Sequence, residues 1–134
     1  MAMPAFVRPL PGAPGNEPDC RKVNEILGHM GDKWTVLVIA TLTVQPRRFN
    51  ELKRLIGGIS QQMLTRTLKG LERDGLVTRK VYPTVPPQVE YALTDLGHSL
   101  AVPLIQVGTW VLDHMSEIDA HRASYDEGAR RPLR

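Results

Sequence analysis

The fold is decided by the stretch Ile59-Ser60-Gln61-Gln62-Met63-Leu64-Thr65-Arg66-Thr67-Leu68-Lys69-Gly70-Leu71-Glu72-Arg73-Asp74-Gly75, because its two sides require different surroundings. Three leucines, at positions 64, 68 and 71, recur at the spacing of one helical face. Ser60 can cap the start of this helix, and Gly75 can end it. We therefore predict a helix from about Ser60 to Asp74 whose leucine face lies in the core.

The opposite side of this helix carries polar side chains and cations but no acidic residue. At about 100° per residue, this polar arc lies opposite the leucines, while Glu72 lies toward the leucine side. Its members are Gln62, Thr65, Arg66, Lys69 and Arg73. Amide, hydroxyl and guanidinium groups near a helix N-terminus read base edges, and cations further along hold phosphates. The pattern is typical of a helix in a major groove, although an ordinary solvated face would also show it.

The polar arc and the neighbouring cations give two sets of candidate DNA-binding residues. Position along the helix divides the sets, because its N-terminal residues reach the bases. The base-reading candidates are Gln61, Gln62, Thr65 and Arg66. The phosphate-binding candidates are Arg47, Arg48, Ser60, Lys69, Arg73, Arg79 and Lys80.

Positive charge is concentrated around the predicted helix. The chain has 134 residues and a net charge of only +3, but residues 45–80 hold nine cations against three anions. That segment therefore carries +6 and the rest of the chain −3. Such concentration indicates a polyanionic partner, and together with the polar arc it points to double-stranded DNA.

Length and composition indicate one globular domain, since 42% of the 134 residues are hydrophobic. The single cysteine excludes an internal disulfide, and the longest dense apolar run, residues 36–40, is too short to span a membrane. Residues 1–18 are rich in proline and glycine and lack the pattern of a signal peptide. We predict a cytoplasmic protein with a disordered arm over 1–18, an ordered domain over 19–120 and a flexible basic tail over 121–134.

Two helices are predicted before the basic segment. Asp19 is an N-cap candidate for the first, whose apolar residues recur at spacings of three and four until Gly31 ends it. From Asp32, residues 33–42 are apolar nearly all round and predict a central second helix. A buried strand is the alternative for this β-branched run, but its length and the absence of Gly or Pro up to Gln45 favour the helix.

The next elements predict a helix-turn-helix. Pro46-Arg47-Arg48 is a short extended connection to a two-turn helix over 49–56, which Gly57-Gly58 end. Ser60 then begins the longer helix after only a few residues. A helix, a glycine-containing turn and a longer helix with a polar face form this motif.

Residues 76–82 and 89–93 alternate with period two around a loop with three prolines, which predicts a β-hairpin. The prolines stiffen the loop from about Tyr82 to Gln88, so it should project from the domain. A hairpin in this position is a wing, expected near the DNA backbone or the minor groove. Arg79 and Lys80 flank it and can reach phosphates, or can instead be edge-strand cations that discourage aggregation.

A long final helix is predicted, with Thr94 as its cap. Seven apolar residues, from Leu96 to Ile118, step by three or four along it. A small domain leaves part of this stripe uncovered, so we expect it to pack on a second copy together with the first helix. Pro103 should kink or divide the helix. Trp110 either anchors the contact with the second copy or takes part in the ordinary packing of an amphipathic helix. The predicted fold is mainly α with a small β-hairpin wing, a winged helix-turn-helix with terminal dimerisation helices.

Several linked motifs resemble a known family. They are Gly31-Asp32-Lys33-Trp34-Thr35, Arg47-Arg48-Phe49-Asn50-Glu51-Leu52, Gly58-Ile59-Ser60-Gln61-Gln62-Met63-Leu64, Leu71-Glu72-Arg73-Asp74-Gly75-Leu76-Val77 and Tyr82-Pro83-Thr84-Val85-Pro86-Pro87-Gln88-Val89-Glu90-Tyr91-Ala92-Leu93-Thr94. Over about Cys20 to Met115, the chain resembles the HxlR-type transcription regulators. The resemblance implies a homodimeric winged helix-turn-helix protein of bacterial type whose terminal helices form the dimer. Such a dimer would bind a pseudo-palindromic operator.

The resemblance also matches a cysteine near the start of the first helix, here Cys20, which in some relatives senses oxidants or electrophiles. This chain departs from the commoner pattern, because Arg21 follows the cysteine where many relatives have proline, and His98 stands where arginine is frequent. Cys20 also continues the apolar stripe of its helix, as a small buried hydrophobe would. A helix N-terminus beside Arg21 and Lys22 would instead favour a reactive thiolate, so both roles stay open.

Two other function classes fit the sequence less well. An enzyme is disfavoured because the four histidines lack the close partners that ligand sets or catalytic triads need, and no cofactor is expected. His114 and His121 are two helical turns apart, which leaves a paired metal site as a minor alternative. The main alternative is a winged-helix module for protein contact without sequence-specific DNA binding, which the basic segment and the polar arc disfavour.

Overall fold

The structure is a computed structural model that describes residues 17–130, with side chains from residue 21 onward. The helices are α1 (Glu17–Met30), α2 (Lys33–Val44), α3 (Phe49–Leu55), α4 (Gln61–Arg73) and α5 (Asp95–Arg130). The strands are β1 (Arg47–Arg48), β2 (Val77–Tyr82) and β3 (Gln88–Leu93). They form one antiparallel sheet in the order β1-β3-β2. The predicted class, mainly helical with a small β wing, is confirmed.

Helix α2 is the centre of the core. Its residues Val38 and Ile39 are fully buried, and α3, α4, α5 and β3 all pack against it. The helix begins as predicted, because Asp32 caps it by accepting a hydrogen bond at Oδ1 from the Trp34 N–H at 2.9 Å. The helical interpretation of residues 33–42 is therefore confirmed and the strand alternative is wrong.

The organising helix α4 is anchored along its leucine face and at its start. Leu64, Leu68 and Leu71 are at most 4% exposed. Ser60 is its N-cap, since the Ser60 Oγ accepts a hydrogen bond from the Met63 N–H at 3.1 Å. Both features agree with the sequence prediction.

The end of α4 also agrees with the prediction. Gly75 has a φ of +75°, a left-handed conformation that side chains other than glycine adopt reluctantly. Its N–H donates to the Glu72 carbonyl at 3.0 Å, and the Leu76 N–H donates to the Leu71 carbonyl at 2.9 Å. This pair of bonds is a Schellman motif, which satisfies the last carbonyls and turns the chain into β2.

Strand β1 was not predicted as a strand. The connection Arg47–Arg48 is extended, as expected, but it also pairs with β3, so that the hairpin becomes a three-stranded sheet. Two residues are too few to show a strand period in a sequence. The predicted hairpin is confirmed, with Val77 opposite Leu93 at the base and Tyr82 opposite Gln88 at the tip.

The first helix differs from the prediction at its start. The described part of α1 already begins at Glu17, so Asp19 lies in the first turn and is not the N-cap. Pro18 does not prevent this, because the first turn of a helix needs no N–H donor from its residues. The rest of the predicted N-terminal arm, residues 1–16, lies outside the described residues.

Helix α5 is longer than predicted and is not divided. It runs unbroken through Pro103, so of the two expected effects of this proline the division is wrong, and a kink stays a prediction. Ala101 is buried and Leu104 packs against the core, so contacts on both sides hold the helix together. The helix also continues past residue 120 to Arg130, where a flexible tail was expected, because extending an existing helix is easier than starting one. Residues 131–134 lie outside the described part.

One junction ties α5 to the end of α4. The Thr94 hydroxyl donates to the Gly75 carbonyl at 2.6 Å and accepts from the Gly97 N–H at 3.0 Å, which makes Thr94 the predicted cap. The Thr94 N–H also donates to the Leu76 carbonyl at 3.0 Å. Gly97 lies so close to this corner that an added Cβ would collide with the Leu76 carbonyl oxygen. The first turn of α5 therefore packs directly on the turn that follows α4.

We expect Gly97→Ala to lower the free energy of unfolding by about 1 to 3 kcal/mol, because the obstructing atom is backbone and cannot rotate away. Gly70→Ala is the matched control, since a Cβ at exposed Gly70 would meet nothing within 4 Å. It should raise the free energy by about 0.5 to 1 kcal/mol through helix propensity. Urea unfolding at equal protein concentration measures both, and equal effects would contradict the described junction.

Candidate nucleic-acid interface

The polar arc of α4 forms one shallow concave surface. Because the leucine face is buried, the opposite side of the helix is turned to solvent. The structure brings together all four base-reading candidates and two phosphate-binding candidates on this surface. They are Ser60, Gln61, Gln62, Thr65, Arg66 and Lys69. Arg73 is exposed on the same helix but does not line the concavity.

The chemistry of this surface suits a nucleic acid. Its N-terminal part offers amides and a hydroxyl, which pair with base edges, and its two cations, Arg66 and Lys69, are exposed. The N-terminus of α4 is the positive end of its helix dipole, and it lies at one end of the concave surface. Glu72 is also exposed and lies on the flank of the arc, about 60° around the helix from Lys69. The arc itself holds three cations, Arg66, Lys69 and Arg73, and no acidic residue.

The strand register divides the four remaining candidate cations between two faces of the sheet. Residues directly opposite each other in antiparallel strands share a face, and neighbours along a strand alternate. One row across the sheet is Arg47, Tyr91 and Arg79, and the next row is Arg48, Glu90 and Lys80. Tyr91 is buried, so the first row lies on the core side. The structure thus does not gather the four cations on one surface.

Lys80 is the weaker phosphate candidate of the wing pair. Its Nζ lies 4.9 Å from the centroid of the Tyr82 ring, a cation–π contact. The Tyr82 hydroxyl donates to Glu90 Oε1 at 3.3 Å, and Glu90 is also the cross-strand partner of Lys80. A carboxylate beside Lys80 opposes an incoming phosphate, whereas the cross-strand partner of exposed Arg79 is the uncharged Tyr91.

Arg47 has a feature that the sequence did not reveal. Its side chain is half-buried, and its Nε is a buried donor without a hydrogen-bond partner among the described residues. A buried unsatisfied donor is costly, so an acceptor supplied from outside would be favoured there. Only the pairing of β1 with β3 places Arg47 in this position, and the sequence did not predict that pairing.

The wing loop has the projecting shape expected of it. Thr84 holds the loop internally, since its hydroxyl donates to the Pro86 carbonyl at 2.7 Å and its N–H to the Tyr82 carbonyl at 2.8 Å. Val85 is fully exposed at the tip.

The backbone of Cys20 lies in α1, but the cysteine side chain is outside the described part, so neither of its two roles is tested.

One histidine on α5, His114, is engaged within its own helix. The His114 ring stacks on Trp110 at 4.3 Å, and His114 Nδ1 lies 2.7 Å from the Trp110 carbonyl, to which it donates. Among residues 17–130, no group of three or more His, Cys, Asp and Glu side chains is placed to hold a metal ion.

None of the helices described in that range has both the length and the apolarity that a membrane crossing requires.

A helix-turn-helix of α3 and α4 followed by the β2–β3 wing defines the class as winged helix-turn-helix. The chain belongs to the HxlR-like helix-turn-helix family, whose model matches residues 29–119. It is 40% identical over 98 residues to the HTH-type transcriptional regulator YtfH of Escherichia coli, covering 73% of this chain and 78% of YtfH.

Solved structures give the same class. A transcriptional regulator, YtfH of Salmonella typhimurium, superposes with a TM-score of 0.72 at 37% identity, over 75% of this chain and 90% of that one. The redox regulator HypR in its reduced form gives 0.69 at 36% identity, over 74% of this chain and 98% of that one. Both identities are high enough to support the family as well as the fold.

We expect Arg47→Met to leave the free energy of unfolding within about 1 kcal/mol of the wild type, because methionine keeps the apolar stem and removes the unsatisfied donor. Arg47→Ala should lower it by about 1 to 2 kcal/mol through lost packing of the stem. Arg48→Ala is the control, since exposed Arg48 should change it by less than about 0.5 kcal/mol. Chemical unfolding curves measure the free energy of unfolding of each variant. Equal losses of this free energy in Arg47→Ala and Arg48→Ala would refute the half-buried position of Arg47.

Proposed function

We propose that this protein is a transcriptional regulator that binds a specific double-stranded DNA operator as a homodimer. The observation that carries the proposal is the concave, acid-free arc of α4, held toward solvent by the burial of the opposite leucine face. In the complex, α4 enters the major groove and the wing lies near the backbone or the minor groove. Membership of a helix-turn-helix family and similarity to named transcriptional regulators support the proposal.

Base reading falls to the N-terminal half of the arc. Gln61, Gln62, Thr65 and Arg66 line the concavity together, and their groups match the donors and acceptors of base edges. Arg66 is the strongest of these candidates, because a guanidinium can make two parallel hydrogen bonds to a guanine. The amide side chains can pair similarly with adenine.

Phosphate binding falls to the edges of the same surface. Lys69 and Arg73 continue the arc toward the C-terminus of α4, and Ser60 lies at its N-terminus, where backbone N–H groups favour an anion. Arg47 offers an unsatisfied donor, and Arg79 extends the reach along the wing. Arg48 and Lys80 share the other sheet face with Glu90 and contribute less.

Dimerisation uses the exposed apolar face of the terminal helices. Monomeric proteins rarely expose a large contiguous apolar patch, and a two-fold axis lets the same patch cover itself. The exposed large apolar side chains on α1 and α5 supply such a surface. Those that line up at helical spacing are Val107, Val111 and Met115 on α5, with Leu27 on α1. In the dimer, the two α4 helices enter successive major grooves roughly 34 Å apart on a pseudo-palindrome.

A protein-contact module is the alternative function, and salt separates it from DNA binding. Phosphate contacts release counterions, so the logarithm of the DNA association constant falls linearly with the logarithm of salt concentration. Selection of bound fragments from genomic DNA by the purified protein, followed by titration of the selected site, tests the proposal. Failure to enrich any sequence, with weak salt dependence, would favour the protein-contact module.

Arg66→Ala should relax sequence preference at one operator position by about 1 to 3 kcal/mol, because it removes a base contact. Arg79→Ala should weaken all sequences alike and reduce the salt slope by about 1, because it removes a phosphate contact. Arg122→Ala removes the same charge from the exposed end of α5. It should change neither the sequence preference nor the salt slope. Titration of single-base operator variants measures all three proteins. The assignment fails if Arg66→Ala and Arg79→Ala give the same specificity profile.

Met115→Glu should raise the dissociation constant of the dimer at least about tenfold, because it buries a charge in an apolar contact. Ser116→Glu adds the same charge one residue away from the apolar stripe and serves as the control. Light scattering at micromolar concentrations reports the mass of each protein. A wild-type monomer that keeps full operator affinity would contradict the homodimer.

Two roles for Cys20 are separated by one titration. A sensing role is supported by the similarity to the redox regulator HypR, and a packing role by the apolar stripe that Cys20 continues. Because the chain has one cysteine, oxidation must give a sulfenic acid, a mixed disulfide or a bond to the second copy. If Cys20 senses, peroxide or a quinone lowers operator affinity of the wild type and not of Cys20→Ser. Equal responses of the two proteins, or none, assign Cys20 to packing.

A further inference from the structure

A groove of about 410 Å³ lies between α1, the corner that joins α4 to β2, and α5. Its walls are largely apolar and include Ile26, Met30 and Leu100, and its volume is in the range of small-molecule sites. Exposed Leu96 and Pro103 lie on the α5 side. The groove is separate from the concave surface of α4, with which it shares no residue.

The polar groups of this groove all favour a positively charged occupant. Among the described residues that line it, Asp74 is the one that carries a charge, and it is the C-cap of α4. The C-terminus of a helix is the negative end of its dipole, so the backbone adds to the carboxylate. The Ser99 hydroxyl donates its hydrogen to the Leu96 carbonyl at 2.6 Å, which leaves its lone pairs as acceptors. The groove therefore offers acceptors and negative charge beside apolar walls.

We propose that this groove binds a small organic cation with an apolar body, such as the ammonium form of a hydrophobic amine. The apolar body covers Ile26, Met30 and Leu100, and the ammonium donates to Asp74 and to the Ser99 oxygen. A carboxylate in the same place would meet the Asp74 charge, and a neutral ligand would leave that charge unpaired. Charge complementarity thus selects the class of ligand.

The same groove adjoins the joint between the recognition helix and α5. Asp74 caps α4, and the carbonyl of Leu76, another lining residue, accepts the Thr94 N–H that starts α5. An occupant that contacts both helices favours one angle between them, and that angle sets where α4 lies relative to a partner α4. The occupant therefore alters operator affinity, and this second step rests on the proposed DNA-binding function, whereas ligand binding itself does not.

The binding step is tested on the full chain without DNA. Titration calorimetry compares 2-phenylethylammonium with neutral 2-phenylethanol and anionic phenylacetate, for the wild type, Asp74→Asn and Glu72→Gln. Glu72 is the matched control, because it is an exposed acid on the same helix that does not line the groove. We expect the ammonium to bind tightest, and Asp74→Asn to weaken it roughly two- to fivefold, the range of an exposed ion pair. Glu72→Gln should leave its affinity unchanged.

Three results would overturn the proposal. They are no ammonium binding at millimolar concentration, equal affinities for the three probes, and equal effects of the two variants. A fourth is ammonium binding that shifts the protein to monomer in light scattering, which would mean that a second copy occupies the groove. The DNA step is measured separately, as a change of at least about fivefold in operator affinity on saturation with the ammonium. If the amine binds but affinity for a selected operator is unchanged, the regulatory step is wrong; if no operator can be selected, the proposed function fails instead.

Discussion

The burial of the α4 leucine face is the constraint on which the rest of the structure depends. Each fully buried leucine contributes about 1.5 to 3 kcal/mol, and Leu64, Leu68 and Leu71 lie against a core centred on α2. A rotation of α4 by one residue, about 100°, would expose leucine and bury Arg66 or Lys69. Surface ion pairs, at about 0 to 1 kcal/mol, are too weak to oppose that preference. The core therefore decides which residues face outward, and the polar arc follows from it.

The second constraint is the joint at Thr94 and Gly97, which fixes the orientation of α4 relative to the terminal helix α5. Thr94 bonds to the Gly75 and Leu76 carbonyls at the end of α4 and also caps α5, so the two helices share one corner. Because α5 also carries most of the exposed large hydrophobic side chains, a second copy packed on it would be fixed in orientation relative to α4. The separation of two recognition helices would then be set by a few backbone contacts. A ligand in the groove beside this corner would contact both helices and change that separation.

Elements with a long period or an explicit cap could be predicted from the sequence, and those that depend on tertiary pairing could not. The leucine period and Ser60 predicted α4, and Asp32 predicted the start of α2. Two-residue β1 shows no period, so neither the third strand nor the buried Arg47 donor was foreseen. The sequence places Arg79 and Lys80 side by side as phosphate candidates. The strand register sends their side chains to opposite faces of the sheet. Helix α5 continues through Pro103, where buried Ala101 and the packing of Leu104 hold both sides in one helix.

The burial of the leucine face should direct the polar arc of α4 into the major groove of DNA. Dimethyl sulfate footprinting of a selected operator tests it most directly, because the reagent methylates guanine N7 in the major groove and adenine N3 in the minor groove. We expect two patches of protected guanine N7, centred about one helical turn apart, one for each recognition helix. Unprotected guanines, or protection confined to adenine N3 at a tightly bound site, would contradict it.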